Sequence, residues 1–378
     1  MNKQNSNNRV VYLDVLRAFA VIMMVQGHTV HTFLMEEYRT MDYLFYGIWH
    51  TMRGFTAPIF MFTAGCVFAY LFKRKSLPFF ENPRVKKGLV RFLTLLCIGY
   101  LLRFPTLRIF DFFNVSRQRM LIFVSVDALH LIAFGILFII AIEFIGEKIK
   151  IKDSYLFILA TLLFFILAVP FRSINFLEIL PLPVAAYFNY DTGSNFPLFP
   201  WAGYVLSGAY LGYYLAKNPK IYLQKIFALR LILIGILLII GSYLLKLALE
   251  FFIVVDEDIW NAYPMLPLFR VGVVLILNGL ISFICRSVNK LPKIINLIGR
   301  HTLSIYVVHL IILYGCVFTP GFYYKHSKIL NVGETIGAVL VMFSLMLLMV
   351  YLIDIIKRTS KNKIKFDIIK NKIKAIVN

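Results

Sequence analysis

Cysteine is scarce in this 378-residue chain, and the motifs of the common metal sites are missing. The four cysteines, Cys66, Cys97, Cys285 and Cys316, lie in or beside apolar stretches without paired spacing or a CxxC motif. This pattern indicates neither a disulfide framework nor a cysteine zinc site. No HExxH or other closely spaced histidine set occurs, so we predict that no metal is bound.

Charged residues are also few, at 16% of the chain, whereas 60% of the residues are hydrophobic. The mean hydropathy is +0.77. Soluble domains contain roughly 45–50% apolar residues, so a water-soluble core cannot account for this composition. Apolar stretches of at least about 18 residues recur along the chain, and each is long enough to cross a hydrocarbon layer about 30 Å thick. The sequence therefore predicts an all-α, polytopic integral membrane bundle.

The apolar stretches between charged or Pro/Gly/Asn-rich breaks predict about ten transmembrane helices. Their approximate bounds are 10–34, 45–72, 89–110, 121–145, 154–171, 198–216, 228–251, 265–285, 297–318 and 334–356. We expect the first stretch to be retained, because it contains Asp14 and Arg17 and is too long for a signal-peptide core. The outer connection from Arg172 to Phe196 is long enough to form a lid over an outward-facing site.

The net charge of +21 follows the predicted topology. With both termini cytoplasmic, 28 basic residues lie in inner segments and eight in outer ones, as the positive-inside rule requires. No nucleic-acid partner is therefore needed, and the bias favours a bacterial inner membrane. We predict one membrane domain, 1–358, and a basic tail, 359–378, which either lies on anionic lipid headgroups or is simply solvated. The sequence also allows a homodimer.

Polar residues inside the predicted helices are costly and therefore informative. Arg17 and His28 are eleven residues apart, so they share one helix face and lie about 16 Å apart along its axis. Asp14 can pair with Arg17, and this pair alternatively serves as an interfacial salt bridge. His31 continues the face that contains His28.

Further polar and aromatic residues fall at the depth of His28, in the predicted outer third of the bundle: His50, Arg53, Asp127, His130, Trp201 and Arg270. Packed together, the histidines, Asp127 and the arginines could form a general base, its orienting carboxylate and cationic groups. Two alternatives remain. Asp127 and His130 could form only a local pair, and the arginines could extend toward the lipid headgroups. His309, deeper in its helix, is either structural or part of the site.

The opening RVVYLDVLRAFAVIMMVQGH, Arg9 to His28, resembles the first helix of the transmembrane acyltransferase superfamily, which includes the acyltransferase-3 proteins. The match is LDxLR followed eleven residues later by histidine, with Ala18 where glycine is common. Three further stretches resemble the heparan-alpha-glucosaminide N-acetyltransferase-like branch: HTMRGFTAPIFMFTAG from His50, FPLFPWAGYVLSGAYLG from Phe196 and IGRHTLSIYVVHL from Ile298.

The resemblance implies transfer of an acyl group, commonly acetyl from acetyl-CoA, to a hydroxyl or amino group of an extracytoplasmic sugar. Arg17 and His28 match the family's essential arginine and histidine, whereas no role transfers to His50, Asp127 or His130. We expect the pantetheine arm to pass Arg17 and the thioester to approach His28, which acts as a base or as an acyl nucleophile. A transporter or flippase is the alternative, because buried charges also serve substrate and proton pathways.

Overall fold

The computed structural model describes residues 11–74, 77–252, 260, 263–288 and 292–377, without the side chains of 109 and 360–377. Within these residues the regular structure is helical, apart from isolated β-bridges. The predicted all-α polytopic bundle is confirmed. Four basic residues that were assigned to inner segments lie outside the described residues: Lys3, Arg9, Lys75 and Lys290. Residue 10, where the first predicted span begins, residue 1, where the predicted domain begins, and residue 378, where the tail ends, also lie outside them.

The chain forms longer membrane helices and short connecting helices. In chain order they are α1 (Val11–Phe33), α2 (Leu44–Arg53), α3 (Thr56–Lys73), α4 (Pro83–Leu102), α5 (Arg117–Val124), α6 (Ala128–Ile149), α7 (Asp153–Ile166), α8 (Ala168–Ser173), α9 (Phe176–Ile179), α10 (Leu182–Ala185), α11 (Leu198–Lys217), α12 (Lys225–Phe252), α13 (Met265–Cys285), α14 (Lys293–Arg300), α15 (Thr302–Tyr314), α16 (Gly321–His326) and α17 (Val332–Val377).

Seven segments of the described chain are long and apolar enough to cross a membrane, with α2 and α3 counted as one. An eighth is present if α14 and α15, which meet at an angle of 75°, form one broken span. Each of the ten predicted spans overlaps at least one helix. Eight of them coincide with these segments, and the other two, 89–110 and 198–216, overlap α4 and α11. The count of ten and the cytoplasmic termini therefore stay predictions.

Several predicted spans have wrong boundaries, because local chemistry interrupts the helix. The span 89–110 ends early, since α4 stops at Leu102, shortly before Pro105, and proline disfavours helix in the residue before it. The span 121–145 is divided, because Asp127 caps the start of α6. The span 297–318 is bent between Arg300 and Thr302. α17 continues through the predicted tail to Val377, but its position on the membrane stays a prediction.

Small residues set the closest helix pair, α3 with α11. A Cβ placed on Gly65 would collide with the backbone carbonyl of Val205, and one on Gly208 would collide with that of Phe62. The two backbones therefore touch directly, as small residues allow in membrane helices. This contact holds the start of α11 beside the start of α3, so the first turns of both helices lie at the cavity described below.

α1 is the central helix, since it packs against α3, α13, α14, α15 and α17. Its C-terminal end is fastened to the segment before α17: the Leu330 N–H donates to the Phe33 carbonyl at 2.9 Å, and the Lys328 N–H donates to that of Thr32 at 2.8 Å. The Lys328 ammonium also pairs with Glu36 and lowers the pKa of that carboxyl from its usual value. The helix that contains His28 is thus fixed at its end.

Gly208→Ala is expected to destabilise the bundle, because the new methyl group forces α3 and α11 apart. Overpacking of this kind costs about 1–3 kcal/mol. Gly241→Ala is the matched control, since a Cβ at Gly241 in α12 meets no atom within 4 Å, and helix propensity alone favours alanine by about 1 kcal/mol. Unfolding in a denaturing-detergent titration measures both. Equal midpoints for the two variants would contradict the close contact.

Candidate active site

A cavity of about 620 Å³ lies at one end of the bundle. It is formed where α1, α4 and α15 end and where α3, α6, α11 and α13 begin. Since helices that run in opposite directions contribute their ends and their starts, the cavity wall collects residues from distant parts of the sequence. The polar and aromatic residues that line it include His28, His31, Arg53, Arg103, Asp127, Asn195, Trp201, Arg270, Tyr306 and Tyr314.

His28 is half-buried in the cavity wall and is oriented by two aromatic neighbours. Its Nδ1 lies 3.0 Å from the Tyr314 hydroxyl, and its ring packs edge-on against His309 with 5.4 Å between the ring centroids. In a neutral ring only one nitrogen has a lone pair. Nε2 therefore accepts a proton only in the tautomer in which Nδ1–H donates to the Tyr314 oxygen.

His309 is fully buried behind His28 and does not line the cavity. Its Nδ1 is 2.8 Å from the Ile305 carbonyl oxygen. Because a carbonyl oxygen can only accept, Nδ1 of His309 is the protonated nitrogen. Nε2 of the neutral ring is then an acceptor, and it has no hydrogen-bond partner among the described residues. His309 is therefore a buried neighbour of His28 with a free acceptor nitrogen.

Asp127 lines the cavity and also caps α6. Its Oδ1 accepts from the Leu129 N–H at 2.9 Å and lies 2.8 Å from Nδ1 of His130. The His130 ring is fully buried, packs against Tyr100 and has no face on the cavity. The local-pair interpretation of Asp127 and His130 thus describes their geometry, while a catalytic role for either stays a prediction.

Arg103 is a cavity residue that the sequence analysis missed. It follows α4 directly and had been counted among the outer-segment charges. Its guanidinium donates to the Ser125 carbonyl at 2.9 Å and to the Ser125 hydroxyl, and its Nε lies 3.8 Å from Oδ2 of Asp127. The available signal was its depth, because a residue at the C-terminal end of α4 lies level with His28. Tyr314, by contrast, had no signal in the sequence.

Two further arginines of the cavity lie over tryptophan rings. The guanidinium carbon of Arg270 is 5.6 Å from the ring centroid of Trp201, and that of Arg53 is 5.7 Å from the ring centroid of Trp49. The indole N–H of Trp201 donates to the Tyr190 hydroxyl at 2.7 Å, which fixes the plane of the ring. Tyr190 belongs to the connection that was expected to form a lid, and the end of that connection reaches the cavity wall.

Six of the candidate residues named from the sequence meet in the cavity wall: His28, His31, Arg53, Asp127, Trp201 and Arg270. Other candidates lie elsewhere. His50 is exposed and packs against Tyr46 outside the cavity lining. Asp14 and Arg17 lie near the opposite end of α1, with 3.8 Å between Oδ1 and Nη1. Among the described residues no group of three or more His, Cys, Asp or Glu side chains could hold a metal.

A comparison with protein families defines the class to which this site belongs. The family model described as heparan-alpha-glucosaminide N-acetyltransferase, catalytic, matches residues 9–247. The protein is therefore a membrane acetyltransferase that acts on glycans, and it belongs to the heparan-alpha-glucosaminide N-acetyltransferase family. No curated protein and no solved structure matches the chain. The bacterial branch and the relation to the acyltransferase-3 proteins stay predictions.

Asp127→Ala is expected to lower stability by about 1 kcal/mol, because α6 loses its N-terminal cap. Asp127→Asn is the matched variant, since asparagine caps a helix about as well as aspartate but has no charge. We therefore expect Asn to retain most of the stability that Ala loses, measured by detergent-titration unfolding. Equal losses in both variants would show that the negative charge, rather than the cap, stabilises this end of α6.

Proposed function

We propose that the protein transfers an acetyl group from acetyl-CoA to a hydroxyl or amino group of an extracytoplasmic saccharide, with His28 at the reacting centre, in a bacterial inner membrane. The cavity supports this proposal most directly. It places a histidine whose Nδ1 is held by a hydroxyl group in the wall of a space large enough for a small ligand. The family match extends over α1, which contains His28.

Acetyl-CoA would supply an acetyl group activated as a thioester. In direct transfer, Nε2 of His28 takes the proton of the acceptor hydroxyl or amino group. At the same time the acceptor's oxygen or nitrogen bonds to the carbonyl carbon of the acetyl group. The carbon–sulfur bond then breaks, and His28 returns the proton to the departing thiolate. Tyr314 supports this role, because its hydroxyl oxygen accepts from Nδ1–H and keeps the lone pair on Nε2.

In the covalent route, Nε2 of His28 attacks the thioester carbonyl carbon, the carbon–sulfur bond breaks and the CoA thiolate leaves. The acceptor oxygen or nitrogen then attacks the acetyl group on Nε2 and the carbon–nitrogen bond breaks. The acceptor's proton passes to the released Nε2 and from there to the thiolate. Both routes place negative charge on the carbonyl oxygen in the transition state. Arg53 is the cationic group suited to stabilise it, since its side chain packs beside Gly27, the residue before His28. Ping-pong kinetics with a trapped acetylated protein would select the covalent route.

On the donor side we assign Arg17 to binding acetyl-CoA near the inner end of α1. Arg17 lies about 16 Å along the axis from His28, and its side chain is 28% exposed, whereas that of its partner Asp14 is 5% exposed. A guanidinium that is partly accessible at this end can contact phosphate groups of a donor that enters from the cytoplasm. The outer cavity is then left for the acceptor.

His28→Ala is expected to lower the rate of acetyl transfer by at least about 10²-fold, the usual contribution of a general base. Acetyl-CoA affinity, measured by calorimetry on protein in nanodiscs, should change little. The matched control is His326→Ala, because His326 is exposed and lies outside the cavity lining. If purified His28→Ala retains the wild-type rate, the assignment of His28 is wrong.

Arg17→Ala is expected to weaken acetyl-CoA binding by about tenfold or more, since hydrogen bonds to charged groups contribute about 1.5–3 kcal/mol. Arg17→Lys should recover part of the affinity, because the charge remains while the planar fork is lost. Calorimetric titration with acetyl-CoA provides the measurement.

Saccharide flux across proteoliposomes without consumption of any acyl-CoA would instead support a transporter.

A further inference from the structure

A second cavity lies between α1, α14, α15 and α17 and shares no lining residue with the candidate active site. Its volume is about 220 Å³, and every lining residue of the described chain is apolar. Ile22 in its wall is 38% exposed although α1 is the central helix. The cavity is therefore a groove that opens on the outer surface of the bundle.

The groove extends over about one leaflet of a membrane. One end is at Ile298, next to Gly299, and a Cβ placed on Gly299 would lie 3.1 Å from the Asp14 carbonyl oxygen. The other end is at Val25, which is about 16 Å further along the axis of α1 than Asp14. This length is roughly half of a hydrocarbon layer about 30 Å thick. One acyl chain that starts at the membrane surface near the start of α1 has this reach.

The chemistry of the groove selects an alkyl chain. The pantetheine arm of acetyl-CoA contains amide and hydroxyl groups, and burying these without hydrogen-bond partners is unfavourable. The side chains that line the groove offer no such partner. An acyl chain needs only dispersion contacts, which Phe343, Met346 and Leu347 of α17 provide, and the unbranched Met346 side chain adapts to an irregular shape.

Two cationic side chains lie at the end of the groove nearest the start of α1. Arg300 is the last residue of α14, two residues after Ile298. Lys357 follows Met346 by eleven residues, so the two lie within about 20° of the same face of α17. Arg300 and Lys357 are both exposed, and both interact electrostatically with His301 at the bend between α14 and α15. They therefore flank the place where the groove begins.

The described side chains do not compensate these two charges. Asp354 also lies near His301, but its Oδ2 is 2.9 Å from Nε of Arg358. Among the described side chains no carboxylate lies within 4.0 Å of the Arg300 guanidinium or the Lys357 ammonium. Both groups are suited to phosphate oxygens, and two uncompensated cations favour a headgroup with a net negative charge over a zwitterionic one.

We propose that the groove binds an anionic phospholipid, with one acyl chain between α1 and α17 and the phosphate at Arg300 and Lys357. The acyl chain fills the space beside the bend, where α14 and α15 meet at 75°, and the headgroup links α14 to α17. The lipid thereby stabilises the packing around α1. The site is separate from the candidate active site, and the proposal does not depend on acetyl transfer.

Native mass spectrometry of the intact protein in detergent measures this binding. Phosphatidylglycerol and phosphatidylcholine with the same acyl chains are titrated against the wild-type protein. We expect one phosphatidylglycerol to bind at least about tenfold more tightly than phosphatidylcholine, in line with the strength of hydrogen bonds between charged groups. A phosphatidylglycerol with a diazirine at the end of one acyl chain should label α1 or α17 at the groove, and labelling confined to other helices would contradict the proposal.

A double variant locates the headgroup. In Arg300→Gln with Lys357→Gln the preference for phosphatidylglycerol should fall at least about tenfold. Lys86→Gln with Lys87→Gln is the matched control, because it removes the same charge at the same end of the bundle. Both of these lysines are exposed near the start of α4 and lie outside the groove lining.

Ile22→Trp tests the apolar part of the site, since the larger side chain would occupy the space of the acyl chain. The affinity for phosphatidylglycerol should fall at least about tenfold, because several methylene groups lose their buried position. Ile236→Trp is the matched control: Ile236 lies in α12, is 42% exposed and is not part of the groove. Its replacement should leave the affinity unchanged.

Two results would overturn the proposal: equal binding of the two phospholipids by the wild-type protein, or equal losses in the groove variants and their controls. The wild-type comparison needs no variant, so a misfolded variant does not remove the test. Acetyl-CoA should not displace the lipid. If it does, and if the double variant loses affinity for acetyl-CoA instead of phosphatidylglycerol, the two cations belong to the donor site and the proposal fails.

Discussion

The cost of an ionised side chain in a hydrocarbon layer determines where this bundle can place its charges, and the two ends of the structure meet this constraint differently. Toward the end of α3, the Lys73 ammonium lies 2.5 Å from Glu143 and 2.7 Å from Asp153. These groups connect α3, α6 and the start of α7, and the lysine has a carboxylate partner on each of the other two helices. The ion cluster therefore joins three helices.

At the cavity end the same constraint is left unsatisfied. The guanidinium groups of Arg53 and Arg270 face a shared space with aromatic neighbours but no carboxylate of the described chain within reach. Intramembrane charges that lack a protein partner mark ligand pathways more often than structural supports. Lys73, by contrast, has two carboxylate partners, and the open charges of the cavity support the proposal that a ligand binds there.

The depth of most site residues could be predicted from the sequence, because a helix rises 1.5 Å per residue and successive spans alternate in direction. This arithmetic placed His28, Arg53 and Arg270 at one level, and the structure brings them to one cavity. The direction of each side chain around its helix could not be predicted, since it depends on tertiary packing. His130 lies at the same level as Asp127 but points toward α4, against Tyr100.

Helix boundaries were harder to predict than helix positions, for a reason that bears on the site. The apolar pattern continues across 121–145, but Asp127 begins a new helix within it, and the same residue lines the cavity. A polar side chain at a helix start can cap the backbone and face a ligand at the same time. The spacing of apolar residues alone does not reveal such a break, because the residues on both sides of it are equally apolar.

The geometry around His28 depends on hydrogen-bond roles rather than on charge. The Ile305 carbonyl requires the proton of His309 to be on Nδ1, which leaves Nε2 of His309 as a buried acceptor beside the His28 ring. Tyr314 can either donate to Nδ1 of His28 or accept from it, so its hydroxyl group matches either tautomer of that ring. The proposed acceptance of a proton by Nε2 of His28 selects the tautomer in which the Tyr314 oxygen accepts from Nδ1–H, and this choice requires no carboxylate next to the reacting nitrogen.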